Sequence, residues 1–297
     1  MLFEMLSLTT KGRTLTNLSI TLTNLSMKLT QMSARLNTIS TIKLTMTNIK
    51  QILILPVLVM LISIVGLSAQ NAMAVSSTVS DQITCESPSV GGVWTSMTST
   101  CTVGTLVIGP GDELVIAQNV LFNIGTVTSS GVIVNDGILN IATGGVLTTS
   151  GIFSNHGIIA SNGGTITNSG PFDNFGTLAS SGTITNGPTG VIQSSGIITS
   201  SGVITSSGAI LVNETGMLIS SGVLTNSLNM VNEGRIMTSG TFTNSGPIMN
   251  PGHIENQGLL ANSNTITNSG NLFNLCGGSI INSGTIAVNT VIDQCVA

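Results

Sequence analysis

From about residue 121 the chain alternates apolar and polar residues in units of six. Aligned on glycine, the unit reads G-x-Φ-x-[NST]-x, with Φ an aliphatic residue, Phe or Met. Glycines at 125, 131 and 137 open the series, which recurs through Gly164, Gly182, Gly202 and Gly222 to Gly284. Leu228 and Asn264 stand in the glycine slot at two further units, giving 26 in all. All 26 Φ slots are apolar, among them Val127, Ile133, Ile166, Phe172, Ile184, Ile204, Phe242, Ile266 and Ile280. The slot two residues later is Ser, Asn or Thr in 23 units, the exceptions being Ile141, Val212 and Val288.

Period two within a period of six has a simple physical reading. Side chains on a strand point to alternate faces, so Gly, Φ and the Asn or Ser share one face. That face owns the apolar residue and must be interior. Glycine and a small polar residue suit a chain bend, since glycine tolerates close approach and Asn hydrogen-bonds turn backbone. Each unit is therefore one short strand plus one corner, and about three units make a rung. The expected fold is all-β: a parallel β-solenoid, or β-helix, of eight to nine rungs over residues 121–290. Gaps of seven or eight residues replace six after Gly137, Gly157, Gly182, Gly208 and Gly270, where bulged corners are expected.

The flanking segments differ. Residues 75–120 hold the lone Trp94 and the stretch TVGTLVIGPGDELVIAQNV, in which Gly109-Pro110-Gly111-Asp112 is a turn between two alternating strands. They read as an N-terminal cap and first rung, and residues 291–297 as a C-terminal cap, because an open sheet edge invites association. Residues 46–74 have the three parts of a secretory signal: a basic start at Lys50, an apolar run from Ile52 to Leu67, and a small-residue exit at Ala72-Met73-Ala74. Cleavage is expected after Ala74, with an uncleaved membrane anchor as the alternative. Residues 1–45 form a low-complexity extension with a Leu-rich three–four spacing, among poor helix formers. The expectation is that they precede the functional protein, whose start would be Met46.

Composition narrows the function. Only 6% of residues are charged and no tyrosine occurs. After Val75 there are ten acidic residues and one basic residue, Arg235, a net charge of −9. Nucleic-acid binding needs clustered Lys and Arg and is not expected. The four cysteines, Cys85, Cys101, Cys276 and Cys295, bracket the repeats in two local pairs. In an exported chain these are expected to be disulfides, Cys85–Cys101 and Cys276–Cys295. Metal binding is not expected, since no Cys-x-x-Cys occurs.

The repeats resemble the passenger and adhesin-like β-helices of bacterial and archaeal surface proteins, whose units read like GTITNSG at residues 164–170. The resemblance spans roughly residues 102–290. It departs from the left-handed hexapeptide acyltransferases, where the aliphatic residue directly precedes the glycine-type slot, so a right-handed coil is favoured. The outward slots form a long, weakly charged, β-branched face suited to contact, so a cell-surface or secreted structural protein acting in adhesion or envelope assembly is expected, without catalysis or cofactor. Its partner would be a cell-envelope or extracellular matrix component, carbohydrate or protein, or another copy of itself.

Two rival functions have candidate residues. A polysaccharide lyase or hydrolase needs paired carboxylates, about 5–5.5 Å apart for retention or 6.5–9.5 Å for inversion. Glu233 and Glu255 are the best such pair, 22 residues apart in the sequence. His156 and His253 fall in outward slots with no nucleophile motif beside them. An ice-binding solenoid would need a Thr-x-Thr ladder, and such steps occur at Thr126/Thr128, Thr165/Thr167, Thr183/Thr185, Thr241/Thr243 and Thr265/Thr267. Their uneven spacing along the chain predicts that they do not form one ladder, and strand propensity accounts for them. Asn213-Glu214-Thr215 is a glycosylation sequon at an expected corner.

Overall fold

The computed structural model describes residues 76–294. The extension, the signal segment and Cys295 lie outside the described residues. Strands stack in parallel into three ladders, winding through about 10 turns. At about 4.8 Å per rung the coil is close to 50 Å long. It has more turns than the expected eight to nine because residues before 121 contribute rungs of their own.

The first rungs show how the ladders arise. Strand β1 (Ser76–Val79) pairs in parallel with β4 (Glu113–Ile116), which pairs with β6 (Val132–Asn135). This ladder, face A, continues to Thr285–Val288 and has 11 strands. Three long strands, β3 (Thr100–Ile108), β5 (Leu121–Ser129) and β7 (Ile138–Thr149), each supply two further faces. In β5 the buried residues are Phe122, Ile124, Val127 and Ser129, so one step of three interrupts the steps of two. That parity break at Gly125 is a corner. Beyond β7 the two halves separate into face B, continuing from Ile158–Ser161, and face C, continuing from Thr165–Asn168.

The core is a stack of single residues. Of the 26 side chains in the Φ slot, 24 are buried, and Ile280 and Ile286 in the last rung are half-buried against the rest. Registered strands put like on like: Ile166, Ile184 and Ile204 lie over one another, and Phe153 stacks on Phe172 with ring centroids 4.7 Å apart. At the corners the backbones come too close for a side chain. A Cβ on Gly182 would strike the carbonyl oxygen of Gly164, and one on Gly202 would strike that of Gly182.

The small polar slot forms ladders of its own. On face A, Asn135 Nδ2 donates to Asn155 Oδ1 and Asn155 Nδ2 to Asn174 Oδ1, each at 2.7 Å. On face C, Asn226, Asn244 and Asn262 repeat the arrangement at 2.8 and 2.7 Å. Every side-chain-to-side-chain bond of these inward ladders runs from an amide to the rung after it. An acceptor is consequently orphaned where a ladder begins over a residue that does not donate to it. Asn135 lies above Ile116, Asn232 above Val212, Asn226 above Ser206 and Asn256 above Thr238, and the Oδ1 atoms of all four are buried without a partner. On face B the same slot is Ser161, Ser180, Ser200 and Ser220. Three of those hydroxyls, on Ser161, Ser200 and Ser220, also lack a partner.

Residues 80–99 close the N-terminal end. A single helical turn, α1 (Gln82–Cys85), starts in a capping box between Asp81 and Thr84. Cys85 bonds Cys101 on β3, and Gly92 lies against both sulfurs, where a Cβ would sit 2.7 Å from each. Strand β2 (Val93–Thr95) pairs antiparallel with β3, placing Trp94 opposite Cys101. At the other end Val291–Asp293 pairs as a further ladder strand with Asn271–Asn274. Cys276 is also disulfide-bonded.

The ladders make opposite forecasts for two neutral substitutions. Asn155→Ala removes a donor and an acceptor at once and should cost about 2–4 kcal/mol, since each buried polar atom left unpaired costs roughly 1–3. Ser200→Ala deletes a hydroxyl that has no partner and should be neutral or stabilising by up to about 1 kcal/mol. Chemical denaturation of the two variants beside the parent measures both.

Candidate functional site

The corners decide what each face presents. All five lengthened units place their extra residues between faces. Ala142–Gly145, Asn162–Gly164 and Leu275–Gly278 join face B to face C, Gly187–Gly190 joins C to A, and Asn213–Gly216 joins A to B. Gly144, Gly163 and Gly277 hold positive φ there, at 82°, 78° and 90°. Because the insertions sit at corners, the pairing on each face continues in register past them, and the shift between Ile124 and Thr126 opposite Ala142–Gly145 is confined to the corner.

One consequence corrects the expectation drawn from spacing. The steps Thr126/Thr128, Thr165/Thr167, Thr183/Thr185 and Thr241/Thr243 lie on one face, face C, in register. The column through the second residue reads Thr128, Thr148, Thr167, Thr185, Thr205, Thr225, Thr243, seven consecutive rungs. The column beside it reads Thr126, Val146, Thr165, Thr183, Val203, Val223, Thr241. Sequence separations of 18, 19 and 20 hide this alignment. Thr265/Thr267 alone falls elsewhere, on face A.

Face C is also the face without charge. Its outward residues from Thr105 to Ile281 include no Asp, Glu, Lys, Arg or His, and no aromatic ring, Asn or Gln. Val203 and Val223 are 37% and 39% exposed. The outward threonine hydroxyls of the seven rungs form no hydrogen bond to another protein group among the described residues. Neighbouring strands in a column are about 4.8 Å apart, so like rotamers keep the hydroxyls beyond the 2.5–3.0 Å of a hydroxyl–hydroxyl bond.

Faces A and B are mixed. Matching outward positions on face A are Val134, Ser154, Asp173, Gln193, Leu211, Val231 and Met249. Face B carries Asn140, Ala160, Ala179, Thr199, Ile219, Met237 and Glu255.

The carboxylate candidates are placed as follows. Glu255 is on face B, where Arg235 Nε and Nη2 donate to its two oxygens at 2.8 and 2.7 Å. Glu255 in turn raises the Arg235 pKa, chiefly through these hydrogen bonds. Glu233 is exposed at the preceding A-to-B corner. Asp112 closes the turn from Gly109, and Glu113 accepts from Ser76 Oγ at 3.0 Å. His156 sits at an A-to-B corner with Nδ1 3.0 Å from Asp136 and its ring stacked on Phe175. His253, exposed on face B, contacts Asn271. Among the described residues no three His, Cys, Asp or Glu side chains gather into a metal-binding group. Asn213 is half-buried, with Nδ2 donating to Ser195 Oγ at 2.7 Å.

No family model, curated protein or solved structure matches the chain. Its own surface is therefore the ground for a functional reading.

The bidentate Arg235–Glu255 pair is a structural tie between rungs 20 residues apart. Arg235→Met should lower stability by about 1 kcal/mol in low salt, the upper range for partly exposed pairs, and molar salt should remove most of the difference. Urea titrations at the two ionic strengths check it.

Proposed function

We propose that the protein is an exported structural solenoid that acts at the cell surface or in the surrounding medium by contact, in adhesion or envelope assembly, without catalysis. The observation that carries this reading is face C. It is a regular, uncharged, solvent-facing array seven rungs long, while the faces beside it are irregular and bear the charged side chains. A surface kept uniform over so many turns is explained by use as a contact area, since solubility alone favours mixed charge.

The other parts of the chain support the reading. The signal-like residues 46–74 would carry the rest across a membrane, and would anchor it there if left uncleaved. The Cys85–Cys101 bond suits an oxidising compartment. The scarcity of basic residues argues against nucleic acid as partner, and leaves an envelope or matrix component, or a second copy. Polysaccharide cleavage is disfavoured by the pairing of Glu255 with Arg235, which occupies both carboxylate oxygens.

Fractionation of producing cells should find the protein in the envelope or medium. Recovery in the cytosol with the signal segment intact would overturn the export part. In a polysaccharide panel the purified protein should release no new reducing ends or unsaturated products. Activity that disappears in Glu233→Gln or Glu255→Gln would replace the contact reading with an enzymatic one.

A further inference from the structure

The uniformity of face C also constrains what it contacts. We propose that this face binds ice, holding an ordered layer of water along its threonine columns. The inference rests on the reading of face C as the contact surface, and takes ice as its ligand in place of an envelope or matrix component or a second copy.

Protein partners are a poor fit. Interface energy concentrates in Trp, Tyr and Arg, whereas Thr, Val, Leu and Ser are under-represented at hot spots. Face C offers only the second group, with Ala and Ile. Glycans are a poor fit as well. Sugar rings stack on aromatic side chains, and amides supply paired donors and acceptors, neither of which this face presents. A ligand suited to it must be neutral, must accept many weak contacts, and must repeat in two dimensions.

Ice meets those terms. Threonine hydroxyls recur at about 4.8 Å along the coil, and at about 6.6–6.8 Å across a strand where both outward residues are Thr. A lattice of water oxygens has repeats of this order. Each hydroxyl is one donor and two acceptor lone pairs, so it can replace a lattice water of either orientation. These hydroxyls are free of other protein partners among the described residues. Between them lie the methyl groups of Thr and Val, which restrict the orientations of adjacent water instead of binding it. An ionic group would hold a shell of its own, and none stands on this face.

Rigidity makes the match usable. Thr and Val are β-branched and stiff at χ1, and each projects from a strand hydrogen-bonded on both sides. The array is preorganised, so little freedom is lost on contact. Strand propensity alone does not explain it: across the same seven rungs the matching column has one threonine on face B and none on face A.

The test is thermal hysteresis and ice-crystal shaping by the full chain, beside variants in matching rungs of two faces. Thr185→Tyr with Thr205→Tyr breaks the regular array on face C. Gln193→Tyr with Leu211→Tyr places the same bulk on face A. Thr185→Val with Thr205→Val removes hydroxyls alone and preserves strand propensity, which keeps the test open if the tyrosines disturb folding. Circular dichroism melts accompany each variant. The expected result is hysteresis and faceted crystals from the parent, a several-fold loss in the face C tyrosine pair, a smaller loss in the valine pair, and parent behaviour on face A. The proposal is overturned if the folded parent leaves ice growth unchanged, or if faces A and C are equally sensitive. Retention on insoluble cellulose or chitin, or concentration-dependent dimerisation, lost in the face C variants without any ice activity, would also overturn it. That outcome would leave the contact reading intact with a different ligand.

Discussion

The structure depends on one constraint: parallel rungs must stack in register at the spacing of backbone hydrogen bonds. At that spacing the glycine slot of most corners has no room for a side chain, which is why Gly182 sits directly over the carbonyl of Gly164 and under Gly202. Once the corners are fixed, every position repeats above itself. Aliphatic side chains then fill a narrow core one per strand. Inward asparagines line up into amide ladders whose side-chain bonds run the same way along the coil. The unpaired Oδ1 atoms of Asn135, Asn226, Asn232 and Asn256 are the cost of that polarity, borne only where a ladder starts. Such coupling makes each rung's stability depend on its neighbours, as in other stacked repeats.

The same constraint determines which parts of the molecule were legible in the sequence. Burial of Ile166, Ile184 and Ile266 follows from the six-residue spacing, because a strand and a corner together consume a fixed length of chain. The Cys85–Cys101 bond followed from proximity along the chain and an even cysteine count. The threonine face did not. Reading it requires knowing which units share a face, and that depends on whether extra residues enter a strand or leave it at a corner. Strict counting from Thr185 puts Val203 above it, whereas the loop at Gly187–Gly190 shifts the partner to Thr205. The signal that was present, yet insufficient by itself, was that each insertion carries Gly or the Asn-Glu-Thr-Gly run. These are corner residues, so the insertions had no reason to disturb a face.

The inward slots are alike on all three sides, and so the outward slots are free to differ. Faces A and B use that freedom for ties and mixed surface, such as the Arg235–Glu255 pair and the Asp136–His156–Phe175 corner. Face C uses it to repeat one motif. The glycine corners, the single-residue core and the looped insertions together deliver a stiff, neutral surface whose periodicity comes from the backbone itself.

Register on face C is the point at which this account is most exposed to contradiction. Cysteine cross-linking reads it directly. Directly opposed positions on parallel neighbours lie about 4.8 Å apart, within the Cα range that a disulfide spans, and a two-residue diagonal lies beyond about 7 Å. Thr185→Cys with Thr205→Cys should form a disulfide readily under mild oxidation, while Thr185→Cys with Val203→Cys should not. Preferential cross-linking of the second pair would mean that the chain keeps strict six-residue spacing through Gly187–Gly190, and the threonine columns would not exist.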